Sequence, residues 1–223
     1  MPVSSAVVKA MAMTRAWRGN LVAVPPTRRR PSDDELLDAA RDVFAEVGYH
    51  AARVASIADL AESTKPTLYA HFGSKEVMYV RVVEREIATL RDQLFVVYDK
   101  IDAGILDSRV EAAVDAEMSY AATHPNGFRV LMSASDPMSP AAELIEHAYR
   151  EFTRRIAELI DARASRGGRE PNPESTTIAA MIVATSQAAA KQALLVEGLE
   201  PARVTEIVTA FIRAGLKAAT TLK

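Results

Sequence analysis

The residues with the most evident chemical use lie in one short stretch. Arg53, Thr64, Lys65, Pro66, Thr67, Tyr69, His71 and Lys75 bring together positive charge, hydroxyls, an imidazole and a phenol. Their spacing yields no nucleophile with a base and an orienting group. As a set they suit contact with an anionic polymer. Lys65 and Lys75 suit phosphates as point charges, and Thr67 and His71 can donate hydrogen bonds to phosphate oxygens. Tyr69 can reach a phosphate backbone or a thymine methyl.

The elements that must position them are two short helices joined by a tight turn. Val54, Ile57, Ala58 and Ala61 fall at i, i+3, i+4 and i+7, which is one apolar face. Glu62 and Ser63 form the bend. Thr64 supplies an N-cap hydroxyl, and Pro66 sits in the first turn, where a missing N–H costs nothing. Leu68 and Phe72 point inward, four apart. Pro66, Thr67, Tyr69 and Ala70 then face solvent, flanked by Lys65 and His71. The pattern predicts a helix-turn-helix whose second helix enters the DNA major groove.

Thr67-Leu68-Tyr69-Ala70-His71-Phe72, followed by Lys75 and preceded by Gly48-Tyr49, resembles the recognition helix of TetR/AcrR-type transcriptional regulators. The resemblance is close from about residue 33 to residue 80. It implies DNA-contacting roles for the same positions, and a dimer built on a four-helix bundle from the last two helices of each subunit. Three positions depart from the family pattern. Ala52 stands where a threonine is common, Ala55 replaces a polar or basic residue, and Glu62 fills the turn position that is usually glycine. Ala70 replaces a larger side chain, so base readout is expected to be sparse. The departures keep a second reading open, a helical ligand-binding or interaction protein whose helix-turn-helix no longer binds DNA.

Around this motif the chain reads as all-α, with about nine helices and neither a strand pattern nor a repeat. Ser32 caps a first helix with three acids in its first turn, and Leu36, Leu37, Ala40, Val43, Phe44 and Val47 form its apolar stripe. Gly48 ends it. It is expected to pack across the helix-turn-helix pair as a three-helix head. Ser74 caps a long helix to about Tyr98, which connects head and body. Further helices are expected over about 108–123, 128–133, 141–165, 174–197 and 202–222. The expected domains are a basic, disordered N-terminal arm (1–31), a DNA-binding head (32–80) and a larger helical ligand-binding and dimerisation bundle (81–223).

Composition narrows the class. The 223 residues are 49% hydrophobic and 25% charged, ordinary for a globular protein. There is no cysteine, so disulfides and thiolate metal sites are excluded. No apolar run reaches the ~20 residues that span a bilayer, and the first thirty residues lack a signal-peptide pattern, so a cytoplasmic location is expected. Net charge is −2, but its distribution is uneven. Lys9, Arg15, Arg18, Arg28, Arg29 and Arg30 have no acid among them. That tail reads as a disordered segment or, in the sharper alternative, as an arm touching phosphates or a minor groove. His50, His71, His124 and His147 form no metal-binding pair. G-x-S-x-G, G-x-x-x-x-G-K and G-x-G-x-x-G are all absent. An enzyme, a metal and a cofactor are not expected.

The body carries two further signals. The last two helices are apolar nearly all round, with Ala179, Ala180, Ala184, Ala188, Ala189, Ala190 and Ala193 on one and Val204, Ile207, Val208, Phe211, Ile212 and Leu216 on the other. Such helices need cover on more than one side, from a second subunit or from the centre of a monomer core. Met118, Phe128, Met132, Tyr149, Phe152 and Met181 suit an adaptable cavity for an apolar or amphipathic small effector. The function expected is a dimeric repressor released from double-stranded operator DNA by that effector.

Overall fold

Ser32 begins the first helix with a reciprocal cap. Its N–H donates to Glu35 Oε2 at 2.7 Å, while the Glu35 N–H donates to Ser32 Oγ at 3.3 Å. Two otherwise orphaned donors are satisfied, and the three acids lie at the positive end of the helix dipole. Helix α1 (Asp33–Ala51) follows, then α2 (Val54–Leu60), α3 (Lys65–Phe72), α4 (Lys75–Asp99), α5 (Leu106–Thr123), α6 (Pro125–Ala134), α7 (Ala142–Arg166), α8 (Ser175–Leu195) and α9 (Pro201–Ala219). This computed structural model describes residues 31–99, 106–166, 168, 170, 174–195 and 200–219. The expected basic arm, apart from Pro31, lies outside the described residues. The described residues are helices and turns, with no strand among them.

Leu36, Leu37, Ala40, Val43 and Phe44 are buried, as their spacing predicts, and they pack the head. Val47 does not join them; it is exposed. Its turn precedes Gly48, which adopts φ 74° and turns the chain out of helical geometry. An added turn of stripe therefore has no core to face. Phe44 meets Tyr79 of α4 edge-on, with ring centroids 4.9 Å apart, and Tyr49 lies 5.0 Å from the same ring. Aromatic edges thus fix α4 against the head.

Helix α6 differs from expectation at its start. The sequence predicts a short helix over about 128–133. Instead Pro125 is the first residue of a longer helix, where its fixed φ is already helical. That lengthens α6 toward α1. Asn126 donates to Asp42 Oδ1 at 3.0 Å, and Arg85 of α4 donates to Asp38 Oδ1 at 2.8 Å. Tyr120 of α5 donates to the buried Glu86 carboxylate at 2.9 Å. The head is thereby bonded to α4 and α6 through polar side chains as well as through packing. Helix α7 contacts α8, and α9 packs on α5 and α8, closing the bundle at the end away from α3.

Candidate nucleic-acid interface and interior cavity

The turn between α2 and α3 is made by Glu62 at φ 46°, the left-handed region that glycine occupies freely. The Ser63 N–H returns to Ala58 O at 2.8 Å and the Glu62 N–H to Asp59 O at 3.1 Å. The turn closes on these two bonds although the residue is not glycine. Ala52 is buried, so its position offers no side chain to a ligand; Ala55 is half-buried.

Thr64 then caps α3. Its Oγ1 accepts from the Thr67 N–H at 3.3 Å and lies 2.8 Å from Thr67 Oγ1. Leu68 and Phe72 are buried, while Lys65, Pro66, Tyr69, Ala70 and His71 are exposed and Thr67 is half-buried. Tyr69 keeps 46% of its surface free, which for so large a ring means a presented face. Gly73, at φ 76°, ends the helix, its N–H returning to Tyr69 O.

Four basic groups differ in availability. Arg53 and Lys65 are exposed, and neither forms an ion pair with a described residue. His71 Nδ1 lies 2.6 Å from Asp33 Oδ1 on the first turn of α1. A carboxylate can only accept, so Nδ1 carries the proton. Lys75 is the departure. It was expected as a free point charge. Instead its ammonium donates to Ala52 O at 2.8 Å and His50 O at 3.2 Å, and lies 4.7 Å over the Tyr49 ring. It ties the start of α4 to the end of α1, leaving one N–H unspent.

The body holds a small apolar cavity that is partly open to solvent. Helices α4, α5, α7, α8 and α9 supply its walls, mostly leucine, isoleucine and valine, with Phe152. Of the expected ligand residues, Tyr149 and Phe152 line it. Met118, Phe128, Met132 and Met181 do not. Met118 and Phe128 are buried in the core, Met132 packs against it, and Met181 points outward with 63% of its surface exposed. Methionine marks irregular packing, and here the irregular packing is ordinary core.

The lining that sequence reasoning missed is Glu117 with Tyr98, Ser186 and Gln187. Burial pushes the Glu117 carboxyl up to about 8. Burial also raises the phenols of Tyr98 and Tyr149, and the Glu117 charge raises both further; Tyr149 reaches about 12. The available signal was positional. Glu117 follows Val114 by three and precedes Ala121 by four, an acid on the apolar stripe of its own helix. Among the described residues no His, Asp or Glu cluster could hold a metal ion.

The surface of α8 and α9 has its own pattern. Met181 on α8 and Ile207 and Phe211 on α9 are exposed large apolar residues, with Ala180, Ala184, Ala210 and Ala214 exposed beside them. The opposite faces of the same helices, through Ala179, Ala190, Val204, Val208 and Ile212, are buried.

Comparison with known proteins bears on both ends of the chain. The model of bacterial regulatory proteins of the tetR family matches residues 36–82. A tetracyclin repressor-like C-terminal domain matches residues 106–214. The HTH-type transcriptional activator FasR of Mycolicibacterium smegmatis is 33% identical over 59% of this chain and 61% of its own length. The HTH-type transcriptional repressor KstR2 of Rhodococcus jostii is 42% identical over 40% of this chain and 41% of its own. The alignments with these two curated relatives thus span less than two thirds of each. The crystal structure of the transcriptional regulator FadR from Bacillus subtilis in complex with stearoyl-CoA shares the fold. Its TM-score is 0.70 at 16% identity, covering 82% of this chain and 99% of that one.

Proposed function

The chain belongs to the TetR family of bacterial transcriptional regulators, and from that premise we propose that it is a homodimeric repressor released from operator DNA by an amphipathic small molecule. The observation that carries the DNA reading is α3. A capped helix buries Leu68 and Phe72 and presents Lys65, Pro66, Tyr69, Ala70 and His71. Small residues at its centre let it lie deep in a major groove. Arg53, Thr64, Lys65, Thr67, Tyr69 and His71 are the contact residues in this reading, and Lys75 adds its remaining N–H at the start of α4. The domain division of head (32–80) and body (81–223) is part of the same reading, as is a cytoplasmic location.

The second subunit is the cover for the exposed stripe of Met181, Ile207 and Phe211. An apolar face at this density is costly to leave in water. Two such faces related by a twofold axis would pair as a four-helix bundle. The effector site is the interior cavity. FadR from Bacillus subtilis carries stearoyl-CoA, and the apolar walls here support a ligand with a hydrocarbon body. The cavity meets α4, whose other end begins beside α3. Filling the cavity can therefore tilt α4 and change the separation of two heads. Half-sites about 34–36 Å apart tolerate little change. Repression is preferred over activation because a bound effector has an evident route to disturb that spacing.

The test is titration of the full chain against the DNA upstream of its own gene, at two salt concentrations. The expected result is tight binding with a steep salt dependence. Binding no tighter than to an unrelated duplex would overturn the regulator reading.

A further inference from the structure

Among the described residues the cavity is lined by a single acid or base, and that side chain has no partner among them. Glu117 lines it from α5, and among the described residues its carboxyl makes neither a hydrogen bond nor an ion pair. The fully buried acid among the described residues is matched by contrast: Glu86 accepts from Tyr120 and stands 3.5 Å from Arg85. A half-buried acid on an apolar cavity wall with no partner among the described residues is an expensive arrangement unless something else bonds it.

We propose that Glu117 is the recognition group for the polar end of the effector, and that the effector is an amphipathic amine, an apolar body carrying one basic nitrogen. This rests on the cavity being the effector site. The surroundings select for that chemistry. Among the described residues no lysine, arginine or histidine lines the cavity, so a carboxylate or phosphate ligand would find no counter-charge there. Tyr98 of α4 and Tyr149 and Phe152 of α7 add aromatic rings to the same lining. Ring faces attract a cation as well as an apolar chain. Helix α8 contributes Ser186 and Gln187, neutral groups able to bond the remaining N–H donors of an ammonium, and α9 contributes Leu216.

The proton balance gives a distinct signature. In the empty cavity Glu117 holds its proton up to about 8. An entering ammonium favours the carboxylate, so that proton leaves to solvent as the ion pair forms. Tyr98 and Tyr149, the other titratable groups facing it, are both raised and stay neutral throughout this range. Amine affinity therefore rises with pH toward about 8, until the amine itself loses its proton near ~10. A neutral ligand that accepts a bond from the protonated acid would show the reverse, weakening as pH rises.

The experiment uses three probes of one chain length, decylamine, decanol and decanoate, titrated calorimetrically into the full-length protein and into Glu117→Gln. Expected for the native chain is amine over carboxylate by more than about tenfold, with amine affinity increasing from about pH 6 to about pH 8. In Glu117→Gln the amine preference and its pH dependence both disappear, while decanol reports that the cavity is still open. If decanol binds and decanoate equals or exceeds decylamine, the proposal fails and the cavity reading stands. It also fails if the variant keeps the amine preference. If none of the three binds, the cavity reading fails and the proposal falls with it.

Discussion

Gly127, in the first turn of α6, lies against the carboxylate of Glu86 on α4. A Cβ placed on it would fall well inside contact distance of Glu86 Oε2, and 2.8 Å from the Tyr120 hydroxyl. The close approach lets α6 reach α1, where Asn126 bonds Asp42. Gly127→Ala must push the carboxylate off its bond from Tyr120 or move α6. The expected cost is ~1–3 kcal/mol, read as a lowered thermal midpoint. A midpoint equal to that of the native chain would show that the carboxylate has somewhere else to go.

Glu62 provides a cleaner test of backbone strain. Its φ of 46° is a conformation that β-carbons resist. Glu62→Ala and Glu62→Gly both remove the carboxylate, and they differ in that strain and, with opposite sign, in the freedom of the unfolded backbone. The glycine variant should be the more stable of the two by ~1 kcal/mol in urea unfolding. Equal stability of the two would mean that the turn relaxes once the glutamate is gone.

Much of this architecture was legible because it is local. Ser32, Thr64 and Ser74 are caps whose partners lie three residues away, and each cap bond is present. The inward and outward faces of α3 follow from one helical period. What failed needed tertiary knowledge. Lys75 reads as a free charge until the chain end of α1 is brought under it. Met118, Phe128, Met132 and Met181 read as cavity lining, but residue type does not say which side of a helix faces a gap. The cavity depends on how five helices lean on one another. Its one polar landmark, Glu117, showed only as an acid out of place on an apolar stripe.

On the interface, Tyr69 is exposed and its side chain makes no hydrogen bond with a described residue. Tyr69→Ala should lower operator affinity by about tenfold or more and leave the melting temperature unchanged. Lys65→Ala should weaken binding to all sequences alike and reduce the slope of log affinity against log salt by about 1. Lys75→Ala should differ from both, since losing its bonds to His50 and Ala52 destabilises the head as well. A gel-shift series with parallel melting curves separates these outcomes. Native affinity in Tyr69→Ala would remove α3 from the interface.

Phe211 has 65% of its surface exposed on a face shared with Ile207 and Met181. Phe211→Glu leaves the interior of the subunit untouched, so the variant should fold and give a monomer in sedimentation. In a dimer, two carboxylates would otherwise be buried unpaired near the axis. A variant that sediments as a dimer of native stability would place the subunit contact elsewhere.

Glu117 makes a prediction about stability without any ligand. Its carboxyl is held up to about 8 in the folded chain by burial alone, against 4.5 in the free group. Below about 4.5 both states carry the proton, and the group costs folding nothing through ionisation. Between the two values the unfolded chain releases its proton while the folded chain retains it. Folding then becomes less favourable by up to ~1.4 kcal/mol for each pH unit, and the loss levels off above the folded value. Glu117→Gln has no proton to release and should lack this slope. The difference in unfolding free energy between the two proteins should therefore grow in favour of the variant from about pH 5 to about pH 8, measured by urea unfolding. Parallel pH profiles would mean that the carboxyl reaches water through the open side of the cavity.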